Sequence, residues 1–183
     1  MPDRLTAWDL AAAGGVCAAS LALLPSAVGL FAAALGLLAL TIARADLDRF
    51  IIPDLMVAAM LILGLGLAVY EGGGASHGDA LLRAAVAAGA LYLLRLAYRM
   101  RAGVEGLGLG DVKLAGAAGP WLMWSTLPYA VAVAAVAALL AIALRALIRR
   151  EPIDRQQVLP FGAFLAPAIW IAFLFERLWL LPG

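Results

Sequence analysis

Length, composition and charge exclude several classes of protein at once. The chain has 183 residues, of which 66% are hydrophobic and only 14% charged, whereas a soluble domain is roughly 45–50% apolar and about 25% charged. A formal net charge of +1 offers no electrostatic footprint for nucleic acid, and a single cysteine excludes a disulfide scaffold. The natural solvent for this composition is the lipid bilayer.

A membrane-spanning helix needs about 20 consecutive, mostly apolar residues. Segments of this kind follow one another along the chain, and the fifth is short for a full crossing. They are Trp8–Leu24, Ala27–Ala45, Leu55–Tyr70, Ala80–Tyr98, Val112–Trp124, Leu127–Leu147 and Leu159–Leu181. Turn-forming residues separate them, including the glycine-rich stretch 71–78. We predict an all-α, polytopic transmembrane helix bundle of about seven spans, forming a single domain over residues 1–183.

The loop charges predict how the bundle is oriented. Loops 25–26, 71–78 and 125–127 contain no Lys or Arg. Basic residues gather instead around the second, fourth and sixth loops: Arg44, Arg49, Arg99, Arg101, Lys113, Arg149, Arg150 and Arg155. Because cytoplasmic loops carry the excess of Lys and Arg, we expect the N-terminus in the cytoplasm and the C-terminus outside. Tryptophans near the span ends, Trp121 among them, are expected to be interfacial anchors.

Two acidic segments lie at the predicted cytoplasmic ends of the spans. One runs from Asp46 to Asp54, and the other contains Asp111. Ionisable groups beside spans are costly to keep, so they are candidate functional residues. Of two carboxylates that face each other, one stays protonated and the other serves as a base, a pairing that suits hydrolysis by water. The chain has one histidine and one cysteine, so the sequence predicts neither a Ser–His site nor a metal site.

Three motifs together resemble the type IV prepilin peptidases, which are GxGD-type intramembrane aspartyl proteases. The resemblance covers residues 27–175 and leaves the first predicted span, 8–24, as an addition. In order along the chain, the motifs are Asp46 with Pro53-Asp54, then Gly108-Leu-Gly110-Asp111-Val-Lys113, then Pro160-Phe161-Gly162.

The resemblance implies that Asp46 and Asp111 form the catalytic pair. Asp48 is the alternative to Asp46, since residues two apart on a helix point about 200° apart and only one can face Asp111. Gly108 and Gly110 are expected to leave room for a substrate backbone beside Asp111.

Three further residues are expected to shape the site or contact the substrate. Pro53 and Asp54 begin the third span, where Asp54 suits a helix cap. Lys113 is expected to contact either lipid headgroups or an acidic substrate residue.

The implied function is removal of the leader from prepilin or pseudopilin precursors at the cytoplasmic face of the bacterial inner membrane. The resemblance implies no metal or cofactor, and pilus or secretion assembly proteins are possible partners. Longer family members carry a cytoplasmic insertion with paired cysteines, associated with N-methylation of the product. Here only Pro25-Ser26 separates the first two spans, so the resemblance is to the short, peptidase-only form that accompanies Flp-type (tight-adherence) pili.

Two other functions fit the same composition. In a small proton- or cation-coupled membrane transporter, Asp46 and Asp111 would form an ion relay. In a structural subunit of a secretion complex, the same residues would form an inactive site.

Overall fold

The computed structural model describes residues 6–24, 26–72, 74–104, 106–149 and 159–180. Over these residues the chain is helical, with no strand, which confirms the predicted fold class. The helices are α1 (Ala7–Leu23), α2 (Ala27–Arg49), α3 (Asp54–Gly72), α4 (Gly74–Ala102), α5 (Leu109–Ala118), α6 (Thr126–Arg149) and α7 (Gly162–Phe175), and a π-helical turn over Glu176–Leu180 follows α7.

Five of these described helices are long and apolar enough to cross a membrane: α2, α3, α4, α6, and α7 with its π-helical turn. Helix α1 has 17 residues and α5 only 10. The fifth predicted span is therefore helical only as far as Ala118. Gly119-Pro120 follows directly, and proline cannot donate the backbone hydrogen bond that would continue the helix. The chain turns there and re-enters a helix at Thr126.

Two predicted boundaries were wrong. Helix α3 ends at Gly72 and helix α4 begins at Gly74, so most of the stretch 71–78 is helix and not a loop. Glycine lowers helix stability by only about 1 kcal/mol per residue and does not prevent a helix. Helix α2 continues to Arg49, four residues beyond its predicted end, so that Asp46 belongs to the helix. The sixth predicted loop, with Arg150 and Arg155, lies outside the described residues, and the orientation stays a prediction.

The core lies between α2, α3, the α5 segment and α7. At its centre Trp121 is 1% exposed, donates its indole N–H to the Met60 carbonyl at 2.9 Å and packs edge-on against Phe173. Gly64 makes this possible, because a Cβ there would lie 2.6 Å from the indole nitrogen. The prediction that Trp121 is an interfacial anchor was therefore wrong.

Adjacent helices run in opposite directions, which gathers one set of helix ends on one side of the bundle. Helix α2 ends where Phe50 takes a left-handed conformation (φ 54°), and α3 begins after a short connection, with the Pro53 carbonyl accepting the N–H groups of Met56 and Val57. The ends of α2 and α4 and the starts of α1, α3, α5 and α7 share this side. We call it the aspartate end, because it carries Asp46 and Asp111.

Candidate active site

Asp46 lies in the last turn of α2 and faces the start of α7. The residue is only 5% exposed, and its Oδ2 accepts the backbone N–H of Ala163 at 2.9 Å. The N–H of Gly162 also points towards this carboxylate. The first N–H groups of a helix have no partner within the helix and carry partial positive charge, so they suit an anion. The start of α7 thus supplies hydrogen-bond donors to the Asp46 carboxyl group.

Asp111 lies in the first turn of α5 and is 7% exposed. Its Oδ2 accepts the N–H of Gly108 at 3.2 Å, and the N–H of Gly162 points towards it as well. Gly162 therefore faces both carboxyl groups. Asp111 is outside the five spanning helices, and burial together with the nearby charge of Asp46 raises the pKa of its carboxyl to about 6. At this site the proton is held more readily by Asp111 than by an ordinary aspartate.

The Ile52 side chain packs against both Gly110 and Gly162. A Cβ at Gly110 would lie 3.1 Å from the Ile52 Cβ, and a Cβ at Gly162 would overlap the end of the Ile52 side chain. A Cβ at Gly162 would also lie 3.1 Å from Asp46 Oδ2. Gly110 thus gives room to Ile52, while Gly108 lies exposed at the rim of the site.

Asp48 points away from this site. Its side chain is 51% exposed, and Oδ2 is 3.6 Å from the Nε of Arg44, which also pairs with Asp9. The placement on the opposite face of α2 follows from the two-residue spacing between Asp46 and Asp48.

Asp54 and Lys113 form an ion pair on the surface of the aspartate end. Lys113 Nζ is 2.7 Å from Asp54 Oδ1, and both side chains are exposed. Asp54 is the first residue of α3 and Lys113 belongs to α5. The pair therefore links the starts of two helices next to Asp111, with Pro53 placing the first turn of α3.

Within the described part of the chain, no group of three or more His, Cys, Asp or Glu side chains is arranged to hold a metal ion.

The model of the type IV leader peptidase family matches residues 32–143. The chain belongs to this family. The match covers both aspartates but stops before α7, which supplies the Gly162 and Ala163 N–H groups. None of the matches supports the transporter alternative.

Curated relatives are named prepilin leader peptidase/N-methyltransferase. The protein of Aeromonas hydrophila is 38% identical over 130 residues, covering 70% of this chain and 43% of its own length. That of Pseudomonas aeruginosa is 35% identical over 140 residues, covering 76% and 46%, and that of Burkholderia pseudomallei is 35% identical over 156 residues, covering 85% and 50%. The chain thus spans about half the length of the curated relatives it matches. No solved structure matches it.

The structure adds residues that sequence reasoning did not single out. Gly162 belonged to a motif to which no chemistry was assigned, and Ala163 and Ile52 belonged to no prediction about the site. A helix start that follows a Pro-Phe-Gly motif could have suggested free backbone N–H groups. Only the fold shows that they face Asp46.

Proposed function

We propose that this protein is an aspartic endopeptidase in which Asp46 and Asp111 together activate water. The observation that supports this best is that two carboxyl groups are buried at one place in the bundle. Gly162, whose Cβ would lie 3.1 Å from Asp46 Oδ2, and Gly110, the neighbour of Asp111, both pack against Ile52. Two carboxyl groups that interact share a proton, and such a pair titrates as a unit.

In the proposed reaction the two aspartates take different roles. Asp46, which accepts the Ala163 N–H, is the ionised partner and removes a proton from water as the water attacks the scissile carbonyl carbon. Asp111, which holds the shared proton, donates a hydrogen bond to the carbonyl oxygen. The tetrahedral intermediate then breaks the C–N bond, and the proton taken up by Asp46 passes to the leaving amine.

The names of the curated relatives indicate a prepilin leader as the substrate of those proteins. For this chain the proposed substrate is a membrane precursor of that kind, with a basic leader and an apolar helix. In the predicted orientation the aspartate end faces the cytoplasm, so the scissile bond would lie between the leader and the apolar helix. We infer a Flp-type prepilin as the substrate and the bacterial inner membrane as the location. N-methylation is not part of the proposal.

A cleavage assay in cells tests the proposal. A tagged Flp-type prepilin is expressed with the wild type, with Asp46→Asn, with Asp111→Asn or with Asp48→Asn, and its length is followed on a gel. Asp48→Asn is the matched control, because it changes the same residue type two positions away on an exposed face.

We expect the wild type and Asp48→Asn to shorten the precursor, and the other two variants to leave it intact while still inserting into the membrane. Cleavage by Asp111→Asn at the wild-type rate would contradict the aspartyl mechanism. If the wild type cleaves no leader-bearing precursor, the proposed function is wrong.

A further inference from the structure

A buried carboxylate lies at the end of the bundle opposite the aspartates. Glu176 begins the π-helical turn after α7 and is only 2% exposed. Its Oε2 accepts the backbone N–H of Met123 at 2.9 Å. Met123 belongs to the turn that follows α5, so this bond joins the far end of α7 to the far end of the α5 segment.

The same two elements meet at the candidate active site. Helix α7 begins with the N–H groups that face Asp46, and α5 carries Asp111 in its first turn. At 1.5 Å per residue, Glu176 lies about 21 Å along α7 from Gly162. Pro167 within α7 removes one backbone hydrogen bond, so α7 is less stiff than an unbroken helix. The start of α7 is therefore held in place better when its far end is bonded to Met123.

The two arginines near Glu176 each pair with another carboxylate as well. A cavity of about 420 Å³ at this end is lined by Glu176 together with Arg83 and Arg177. Arg83 pairs with Asp79 and donates to the Gly119 carbonyl, while Arg177 pairs with Glu71. Each arginine therefore already has a carboxylate partner. What Glu176 adds is an acceptor at the right reach for the Met123 N–H.

We propose that Glu176 is a positioning residue that fixes α7 along its axis relative to the α5 segment and so keeps the Gly162 and Ala163 N–H groups at Asp46. It acts through the length of its side chain and through its acceptor oxygen. The effect on cleavage rests on the proposed function, whereas the effect on the Ala163 N–H does not.

Three substitutions distinguish the length of the Glu176 side chain from its charge. Glu176→Gln keeps the reach and the acceptor without the charge, Glu176→Asp keeps the charge but shortens the reach, and Glu176→Leu removes the acceptor. Glu71→Gln and Glu71→Leu are the matched controls, because Glu71 lines the same cavity and binds Arg177. Each full-length variant is reconstituted in liposomes and compared with the wild type in kcat and KM for prepilin cleavage.

We expect Glu176→Gln and both Glu71 variants to stay within about twofold of the wild type. Glu176→Asp and Glu176→Leu should lower kcat about tenfold or more with KM unchanged, since small displacements at reacting groups are costly. If Glu176→Asp keeps the wild-type kcat while Glu176→Gln loses it, the charge matters and the proposal is overturned. A wild-type kcat in Glu176→Leu overturns it as well.

Hydrogen exchange of a peptide covering residues 159–165 tests the inference without cleavage. We expect faster exchange in Glu176→Leu and Glu176→Asp than in the wild type and Glu176→Gln, with α6 peptides unchanged in all four. Unchanged exchange at 159–165 in Glu176→Leu refutes the positioning role even if the protein cleaves no prepilin. A wild type that cleaves nothing, together with the expected exchange pattern, refutes the proposed function alone.

Discussion

The backbone N–H of Ala163 lies 2.9 Å from Asp46 Oδ2, across a separation of 117 residues. Asp111, by contrast, receives its hydrogen bond from Gly108, only three residues away in its own turn. Gly162 lies near both carboxyl groups, but each also has a hydrogen bond of its own, from α7 for Asp46 and from the turn before α5 for Asp111. This asymmetry is the basis for assigning the ionised role to Asp46 and the proton to Asp111.

Substituting Gly162 by alanine should disable the site more than it disturbs the fold. The new Cβ would overlap the end of the Ile52 side chain and press on Asp46 Oδ2. Overpacking of this kind costs about 1–3 kcal/mol, and we expect at least a tenfold loss of cleavage. The measurement is the prepilin cleavage rate together with the melting temperature. Gly89→Ala is the control, because nothing lies within 4 Å of a Cβ there.

The same clash predicts a rescue. The double variant Gly162→Ala with Ile52→Ala removes the side chain that the new methyl group meets. We expect it to recover part of the lost activity, although Ile52→Ala alone should be somewhat destabilising. If the double variant is no better than Gly162→Ala, steric pressure from Ile52 is not the cause of the loss.

Replacing Asp111 by asparagine should raise stability near neutral pH while abolishing cleavage. The pKa of Asp111 in the folded protein is about 6, above the value of 3.8 for an unperturbed aspartate. Between these values the folded state binds a proton that the unfolded state has released, so wild-type stability falls as pH rises through this window. Asp111→Asn lacks that loss, and its melting temperature should exceed the wild type by a few degrees at about pH 7.5.

The difference should shrink towards about pH 4, where the wild-type Asp111 is protonated. Melting curves of the purified protein in detergent at several pH values measure this. Asp48→Asn serves as the comparison and should follow the wild-type curve, because Asp48 is exposed. A melting temperature for Asp111→Asn that tracks the wild type at every pH would argue against a burial cost at Asp111.

Exchanging the charges of Asp54 and Lys113 should leave the protein active. The two side chains form an exposed ion pair, and such pairs contribute about 0–1 kcal/mol. Asp54→Lys and Lys113→Asp each place like charges together and should lower stability by a similar amount at low salt, whereas the double variant should recover it. Cleavage kinetics distinguish a purely structural ion pair from a substrate contact. If Lys113→Asp raises KM and the double variant does not return KM to the wild-type value, Lys113 contacts the substrate directly.

The processed substrate should carry an unmethylated N-terminus. The chain contains one cysteine, and only Pro25-Ser26 separates the first two helices. Mass spectrometry of a prepilin co-expressed with this protein gives the answer directly. The Aeromonas hydrophila relative, whose name includes N-methyltransferase, is the comparison. A methylated product made by this chain alone would contradict the peptidase-only interpretation.

The helical fold and the family could both be predicted from the sequence, because both depend on local patterns. Apolar runs of about 20 residues mark spanning helices, and the motifs around Asp46 and Asp111 identify the family. Helix ends were less predictable: α2 continued past Ala45, and α4 began within a glycine-rich stretch. Charges and glycines are weak signals of a helix end, because their helix propensities differ from those of other residues by about 1 kcal/mol or less.

The backbone contacts that support the site could not be predicted from the sequence, for a different reason. The contact of Ala163 with Asp46 and the contact of Glu176 with Met123 are made by backbone N–H groups, which every residue except proline possesses. No side-chain pattern distinguishes the N–H groups that will face a carboxylate. The role of Ile52 could not be predicted either, since an isoleucine between two apolar spans is typical of an ordinary core residue.

The start of α7 changes how sequences with both aspartates should be judged. The region that matches the family model ends at residue 143, yet Asp46 relies on a helix that begins at Gly162. A related chain that retains both aspartates but carries a bulky residue or a proline at the positions of Gly162 and Ala163 would be expected to fold as an inert homologue. If only the two aspartates were considered, such a chain would be counted as an enzyme.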